Sequence, residues 1–216
     1  MLRSVLKLKT FRNKTLALIG FFCGAWTLSS QSVWTKSWDM ESLDHVALVL
    51  PYASAISLSN RLDNTLVISY QTDGELQDQM GLRSQSENRE LLLTEFRNPL
   101  LSNPADKLSS HKVIASSIQI QAPPFLTIEL NIKQGQLKVQ GHYETLNIQI
   151  QTGSCHLDLQ KTKGHLKTQS ALVEIIHQEM KLQAESQGKL LSCSTATTDA
   201  LFQIVNLQGS VNCKAR

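Results

Sequence analysis

Helical periodicity is missing from this sequence: after residue 40 no segment keeps apolar residues three and four apart for long enough to build a helix face. A helical bundle is thereby excluded, and the chain reads as strands. A cationic surplus is missing too. Arg3, Lys7, Lys9, Arg12 and Lys14 all precede the first acidic residue, Asp39, and removing those five from 21 basic residues leaves 16 against 18 acidic ones. The body is nearly neutral, which excludes the basic footprint of a nucleic-acid binder. Nor is there a glycine-rich phosphate loop, a nucleophile elbow or a Cys-His pair at a usable spacing. The histidines, His45, His111, His142, His156, His165 and His177, never take the paired spacing of a zinc helix. Coiled-strand enzymes that cut acidic polysaccharides gather carboxylates on a groove, whereas Glu129, Glu144, Asp158, Glu174 and Glu185 scatter over several columns. No catalytic, cofactor-binding or metal-ligating residue is expected.

Cysteines are few as well. The segment Leu16 to Leu28, LALIGFFCGAWTL, follows the five cations and precedes Ser29, Ser30, Gln31 and Ser32. This is the order of a secretory signal peptide, with small residues placed for cleavage after Ser32. Its apolar run falls short of the roughly 18 to 20 residues that comfortably span a bilayer. The alternative is an uncleaved N-terminal anchor with Trp26, Trp34 and Trp38 at the membrane interface. Phe21 and Phe22 stand where a lipid-modified Cys23 would need small residues, which argues against lipidation. Cleavage leaves Cys155, Cys193 and Cys213, an odd count that excludes a complete disulfide framework. Cys155 and Cys193 fall in apolar columns and read as small buried hydrophobes. Cys193 and Cys213 stand about one coil apart, near enough for a bridge, although parallel stacking makes its dihedral awkward; that pairing stays open.

What the sequence does have is a period. From Leu126 the lines LTIELNIKQGQLKVQGHY, ETLNIQIQTGSCHLDLQK, TKGHLKTQSALVEIIHQE and MKLQAESQGKLLSCSTAT superimpose at 18 residues. Leu130, Ile148, Leu166 and Ala184 form one column, Val139, Leu157, Ile175 and Cys193 a second, and Leu137, Cys155, Val173 and Leu191 a third. Apolar residues alternating within such a period predict a coil of stacked short strands, each burying its inner face only against its neighbours. The stretch Leu172 to Lys189 is rich in helix formers, yet Val173, Ile175, Leu182 and Ala184 keep the period of two, so it is read as strand. Facing outward are the columns Lys133, Gln151, Gln169, Gln187 and Asn131, Gln149, Lys167, Glu185. Stacked amides can bond along such a column, and Lys167 beside Glu185 would be a favourable cross-strand pair. This face reads first as solvated surface, and second as a platform for sugars or a partner. His156 and His165 fall in outward columns with Lys138, Glu174, Glu129 and Asn147. Gly135 and Gly153 share a column, as a repeated tight turn with positive φ requires, while Ala171 and Lys189 continue it without glycine. The last segment, from Asp199, alternates through Phe202, Ile204, Val211 and Cys213 and is expected to cap the stack.

Before the repeat, strands are expected at His45 to Pro51, Thr65 to Tyr70, Glu90 to Phe96 and Lys112 to Ala122. Thr72 to Arg89 reads as a hairpin with a long tip or, alternatively, one more weak strand, and Arg97 to Lys107 as a loop. Pro123 and Pro124 end one strand and open the repeat. Three regions follow: residues 1–32 as signal peptide or anchor, 33–122 as a β-rich lead-in, and 123–216 as the repeat with its C-terminal cap.

The string from Asp106 to Leu159, DKLSSHKVIASSIQIQAPPFLTIELNIKQGQLKVQGHYETLNIQIQTGSCHLDL, resembles the bacterial putative adhesin family of envelope β-solenoid domains. The likeness spans Asp44 to the C-terminus and is strongest from Lys107 to Gly153. It implies an all-β fold, a right-handed single-stranded β-solenoid or β-helix of short stacked strands, in the periplasm or at the cell surface. No catalytic residues are carried over. The function expected is that of a noncatalytic exported envelope module for adhesin-like binding or scaffolding; the alternative is a polysaccharide lyase or hydrolase on the same fold. Expected partners are an envelope protein or a glycan, with membrane contact only through an uncleaved leader.

Overall fold

The structure is a computed structural model that describes residues 32–73, 79–98, 115–187, 189–192 and 199–216. The expected leader up to residue 31, most of the expected Arg97 to Lys107 loop and Cys193 lie outside these. Among the described residues the fold is all-β, with fourteen strands in one open, mixed sheet. They are β1 (Ser32–Asp39), β2 (His45–Leu50), β3 (Ala53–Asn60), β4 (Thr65–Asp73), β5 (Met80–Glu87), β6 (Glu90–Arg97), β7 (Ala115–Ala122), β8 (Thr127–Gly141), β9 (Thr145–Gln160), β10 (Lys163–Gln178), β11 (Lys181–Ser186), β12 (Lys189–Ser192), β13 (Leu201–Asn206) and β14 (Ser210–Ala215).

The long strands β8, β9 and β10 run parallel in the 18-residue register: Leu130 faces Ile148, which faces Leu166, and Val139 faces Leu157, which faces Ile175. The burial alternation of each strand shifts phase once, as a bend in the strand requires. On β8 the buried residues are Ile128, Leu130 and Ile132, then Leu137 and Val139, so the alternation changes phase between residues 132 and 137. Side chains alternate between faces of a strand, so a phase change at a bend keeps both halves buried in one core. The strands on either side of Pro123 belong to the same sheet. β2 pairs the first half of β8 and β3 the second, so the two make one further rung across the Pro51–Tyr52 corner. β6 and β7 then flank β2 and β3 as another. One apolar column therefore runs Leu93, Leu48, Leu130, Ile148, Leu166, Ile204, and a second Ile120, Leu58, Val139, Leu157, Ile175, Cys213.

The fourth rung departs from the expected register. After β10 the chain does not stack β11 directly; β13 is inserted between them, parallel to both, and β14 continues along the second half of β10. The second column ends in Cys213 where Cys193 was expected, and the third in Val211 where Leu191 was expected. Leu191 lies instead on β12, antiparallel to β11 and opposite Ala184. Val205 stands between Lys167 and Glu185, so these two are not cross-strand neighbours. The alternation that identified the columns is indifferent to which later strand fills a rung, since any strand with apolar residues at alternate positions buries equally well there.

Two strands were not anticipated. β1 carries Trp34 and Trp38, read above as interfacial residues of an anchor, and pairs β4 with those rings packed against the core. β3 was overlooked because ASAISLSN is rich in serine, although Ala53, Ile56 and Leu58 are buried. The weak strand allowed within Thr72 to Arg89 is β5; it forms a tight hairpin with β6 through Asn88 and Arg89, both at positive φ. In the segment Leu172 to Lys189, residues 172–178 are strand on β10 and residues 181–186 strand on β11, with a bend at Glu179 and Met180 between them.

Candidate functional site: the corner of the rungs

At the bend, successive rungs bring Tyr52, Lys133 and Gly153 to the wall of an open groove of about 650 Å³. The backbone there is close-packed. A Cβ on Gly135 would approach Ala53 O to 2.7 Å, and Gly153, at φ +134, would drive one into Gly135 O. Gly135 is thus required by proximity and only Gly153 by a positive φ, which narrows the shared reason expected of the two. Ala171 follows Gly153 in the column, and Gly209 sits against Ala171 O on the last rung.

Buried polar side chains pin this corner at both ends of the stack. Glu95, on β6, is 2% exposed. Its carboxylate accepts Tyr52 N–H (2.7 Å), Ala53 N–H (2.9 Å), the Tyr70 hydroxyl (3.0 Å) and the Ser116 hydroxyl (2.7 Å). Four donors replace the water a buried carboxylate loses. Burial, then the charge of Glu95 and the bond to it, push the Tyr70 hydroxyl well above its ordinary range, so it stays a donor. At the far end, Asn206 donates to Ala171 O (2.8 Å) and accepts from Gly209 N–H (2.8 Å), while Ser186 donates to Gly209 O (2.8 Å). Sequence reading missed Glu95. The signal was present, since ELLLTEF places a carboxylate in phase with Leu91 and Leu93.

Of the expected outward column, Lys133, Gln151 and Gln169 follow the same corner and are exposed; Gln187 is exposed too, but the inserted β13 brings Leu207 between it and Gln169. A second groove, of about 380 Å³, runs beside Gln151, Gln169 and Leu207. Leu207 is 64% exposed. The remaining chemistry is dispersed. His45 lies 3.7 Å from Glu90 and 3.8 Å from Glu129, His156 3.3 Å from Glu174, and Asp158 3.4 Å from Arg216. His165 is half-buried, and burial and then Lys167 lower its pKa despite Glu129. His177 is buried. Among the described residues no three His, Cys, Asp or Glu side chains converge as a metal site. Cys155 is a free, buried thiol, as its column implied, whereas Cys213 is disulfide-bonded.

No family model and no curated protein matches the chain. Among solved structures it is similar to a putative cell adhesion protein from Clostridium sporogenes, with 11% identity, 87% of this chain and 100% of that one covered, and a TM-score of 0.59. A putative adhesin from Bacteroides fragilis gives 8% identity over 87% of this chain and 99% of that one, at a TM-score of 0.34. The first likeness establishes a shared fold. The second is too loose to argue from. The all-β fold is thus shared with a protein described as a putative cell adhesion protein, in keeping with the fold implied by the resemblance drawn from Asp106 to Leu159.

Proposed function

We propose that this chain is a noncatalytic, exported envelope module of adhesin-like character, presenting a right-handed β-solenoid for binding or scaffolding. The observation that carries the proposal is the in-register stack of bent rungs around one core, with a strip of exposed amides and lysine along its corner. A rigid corner repeats its hydrogen-bonding groups at about 4.8 Å, the spacing of adjacent strands, and so offers a ladder of contacts to an extended partner. The fold shared with a protein described as a putative cell adhesion protein supports the reading. A disulfide at Cys213 supports an oxidising compartment, the periplasm or cell surface, as does the leader-like N-terminus.

The test uses the fragment from Val33 to Arg216, screened on glycan arrays and against envelope extracts, together with a reducing-end assay. Binding without product formation is the expected result. Turnover abolished by changing a single carboxylate would replace the proposal with the lyase or hydrolase alternative. N-terminal sequencing of envelope-fraction protein is expected to read from Val33, and an intact soluble cytoplasmic chain would contradict export.

A further inference from the structure

The geometry points to an acidic oligosaccharide, one whose sugars carry carboxylates, as the ligand of the groove beside Tyr52. This rests on the binding-module reading and gives it a ligand class and a place.

Three observations converge on it. First, Tyr52 is an aromatic side chain 43% exposed at the lip of the groove, yet its backbone is held rigidly. Glu95 accepts the N–H groups of Tyr52 and Ala53, and the same turn is packed on Gly135. An aromatic held on a fixed turn loses little freedom on binding, and its face suits the C–H side of a sugar ring. Second, the wall carries Gln134, Gln136 and Ser154, side chains that both donate and accept, as the hydroxyls of a sugar require, and Ser54, whose O–H is given to Ser116 O and whose oxygen can still accept. They sit on successive rungs, repeating along the stack. Third, Lys133 lines the groove and, among the described residues, no acidic side chain does. The carboxylate of Glu95, which holds the Tyr52 turn, is buried with four donors on it. The groove therefore favours a carboxylate-bearing chain over a neutral one, and over a basic peptide. Its volume, about 650 Å³, lies within the range of roughly 300 to 1,000 Å³ typical of small-molecule sites.

The experiment is calorimetric titration of the Val33 to Arg216 fragment, at low salt, with trimers of galacturonic, glucuronic and mannuronic acid and with the neutral galactose trimer. At least one acidic trimer should bind, at least tenfold more tightly than the neutral one. Tyr52→Ala should weaken it tenfold or more while Tyr52→Phe retains most of the affinity. Lys133→Gln should weaken it and flatten its salt dependence, and Lys181→Gln, at an exposed position of β11, should leave it unchanged, with circular dichroism confirming the fold of each variant. The inference is overturned if no acidic trimer binds at millimolar concentration, if the neutral trimer binds equally well, or if binding survives Tyr52→Ala and Lys133→Gln. Array binding insensitive to Tyr52→Ala would also overturn it, while leaving the wider binding-module reading intact. Release of reducing ends from a bound acidic trimer would do the reverse, supporting the ligand class and ending the noncatalytic reading.

Discussion

Leu166 stands opposite Ile204 on the adjoining parallel strand, and Ala184, the next member of the 18-residue series, lies on the far side of Ile204. The rung that follows β10 is thus filled by a later part of the chain. A mirror of this occurs at the other end, where β2 and β3 lie between the pair β6 and β7 and the strand β8. Both ends of the repeat are therefore closed by strands out of chain order, with antiparallel β5, β1 and β12 outside them.

The intercalation of β13 is measurable through Lys167 and Glu185. With Val205 between them the two are separated by two strand spacings, about 9.6 Å, near the Debye length of about 10 Å at 0.1 M salt. A double-mutant cycle of Lys167→Gln and Glu185→Gln should return a coupling below about 0.2 kcal/mol, whereas directly opposed charges give roughly 0.2 to 1 kcal/mol. A coupling of about 0.5 kcal/mol or more in urea unfolding would place β11 directly on β10.

The register of the central rungs is tested at Ile148 and Gln149. Ile148 is fully buried between Leu130 and Leu166, and Gln149 is exposed beside Asn131 and Lys167. Ile148→Asp would bury a carboxylate without donors or force its protonation, and should cost several kcal/mol, or about 3 to 5. Gln149→Asp should cost less than about 1 kcal/mol. Thermal unfolding of the two variants decides it, because a slip of one residue would exchange the outcomes.

These contrasts show which parts of the fold could be read from the sequence. The alternation of Leu130, Ile132 and Ile148 and the spacing of their lines are local, so burial on three rungs was legible. Chain order in space was not. Phe202 and Ile204 carry the same alternation as Leu182 and Ala184, so nothing local says which pair lies against β10. β1 was hidden because Trp34 and Trp38 follow an apolar segment and invite a membrane reading, while their rings pack on the core. The corner groove was half legible. Lys133 and Gln151 were recognised as a face, but Tyr52 and Glu95 reach the corner only through pairings far apart in sequence.

Cys155 should behave as an inert thiol. Burial raises its pKa from the ordinary 9.0 up to about 12, and the Tyr70 and Tyr143 hydroxyls are raised from 10.0 chiefly by burial as well. An acid held protonated in the fold favours folding fully below its unfolded pKa and loses that contribution as pH rises toward its folded value. Stability should therefore be level near pH 8 in respect of these groups and fall from about pH 9 upward. Mass spectrometry of the Cys155 peptide after alkylation at pH 8 should show labelling only in urea. Rapid labelling of the native protein would mean that this column is open to solvent.

The Glu95 clamp separates a buried charge that organises a corner from one that is merely tolerated. Glu95→Leu would leave Tyr52 N–H and Ala53 N–H without their acceptor, and the Tyr70 and Ser116 hydroxyls with them. At about 1 to 3 kcal/mol for each unsatisfied buried group, the loss should reach about 4 kcal/mol or more. Glu95→Gln keeps one oxygen for the two backbone N–H groups and turns an NH₂ toward two hydroxyl oxygens that can accept, so it should cost only about 1 kcal/mol. Tyr70→Phe removes a single donor and should cost a similar amount. The ranking Leu far worse than Gln, read from urea midpoints, is the signature of the clamp. A neutral or stabilising Glu95→Leu, as replacement of a buried ion by a well-packed apolar residue sometimes produces, would mean that the turn holds its shape without the carboxylate.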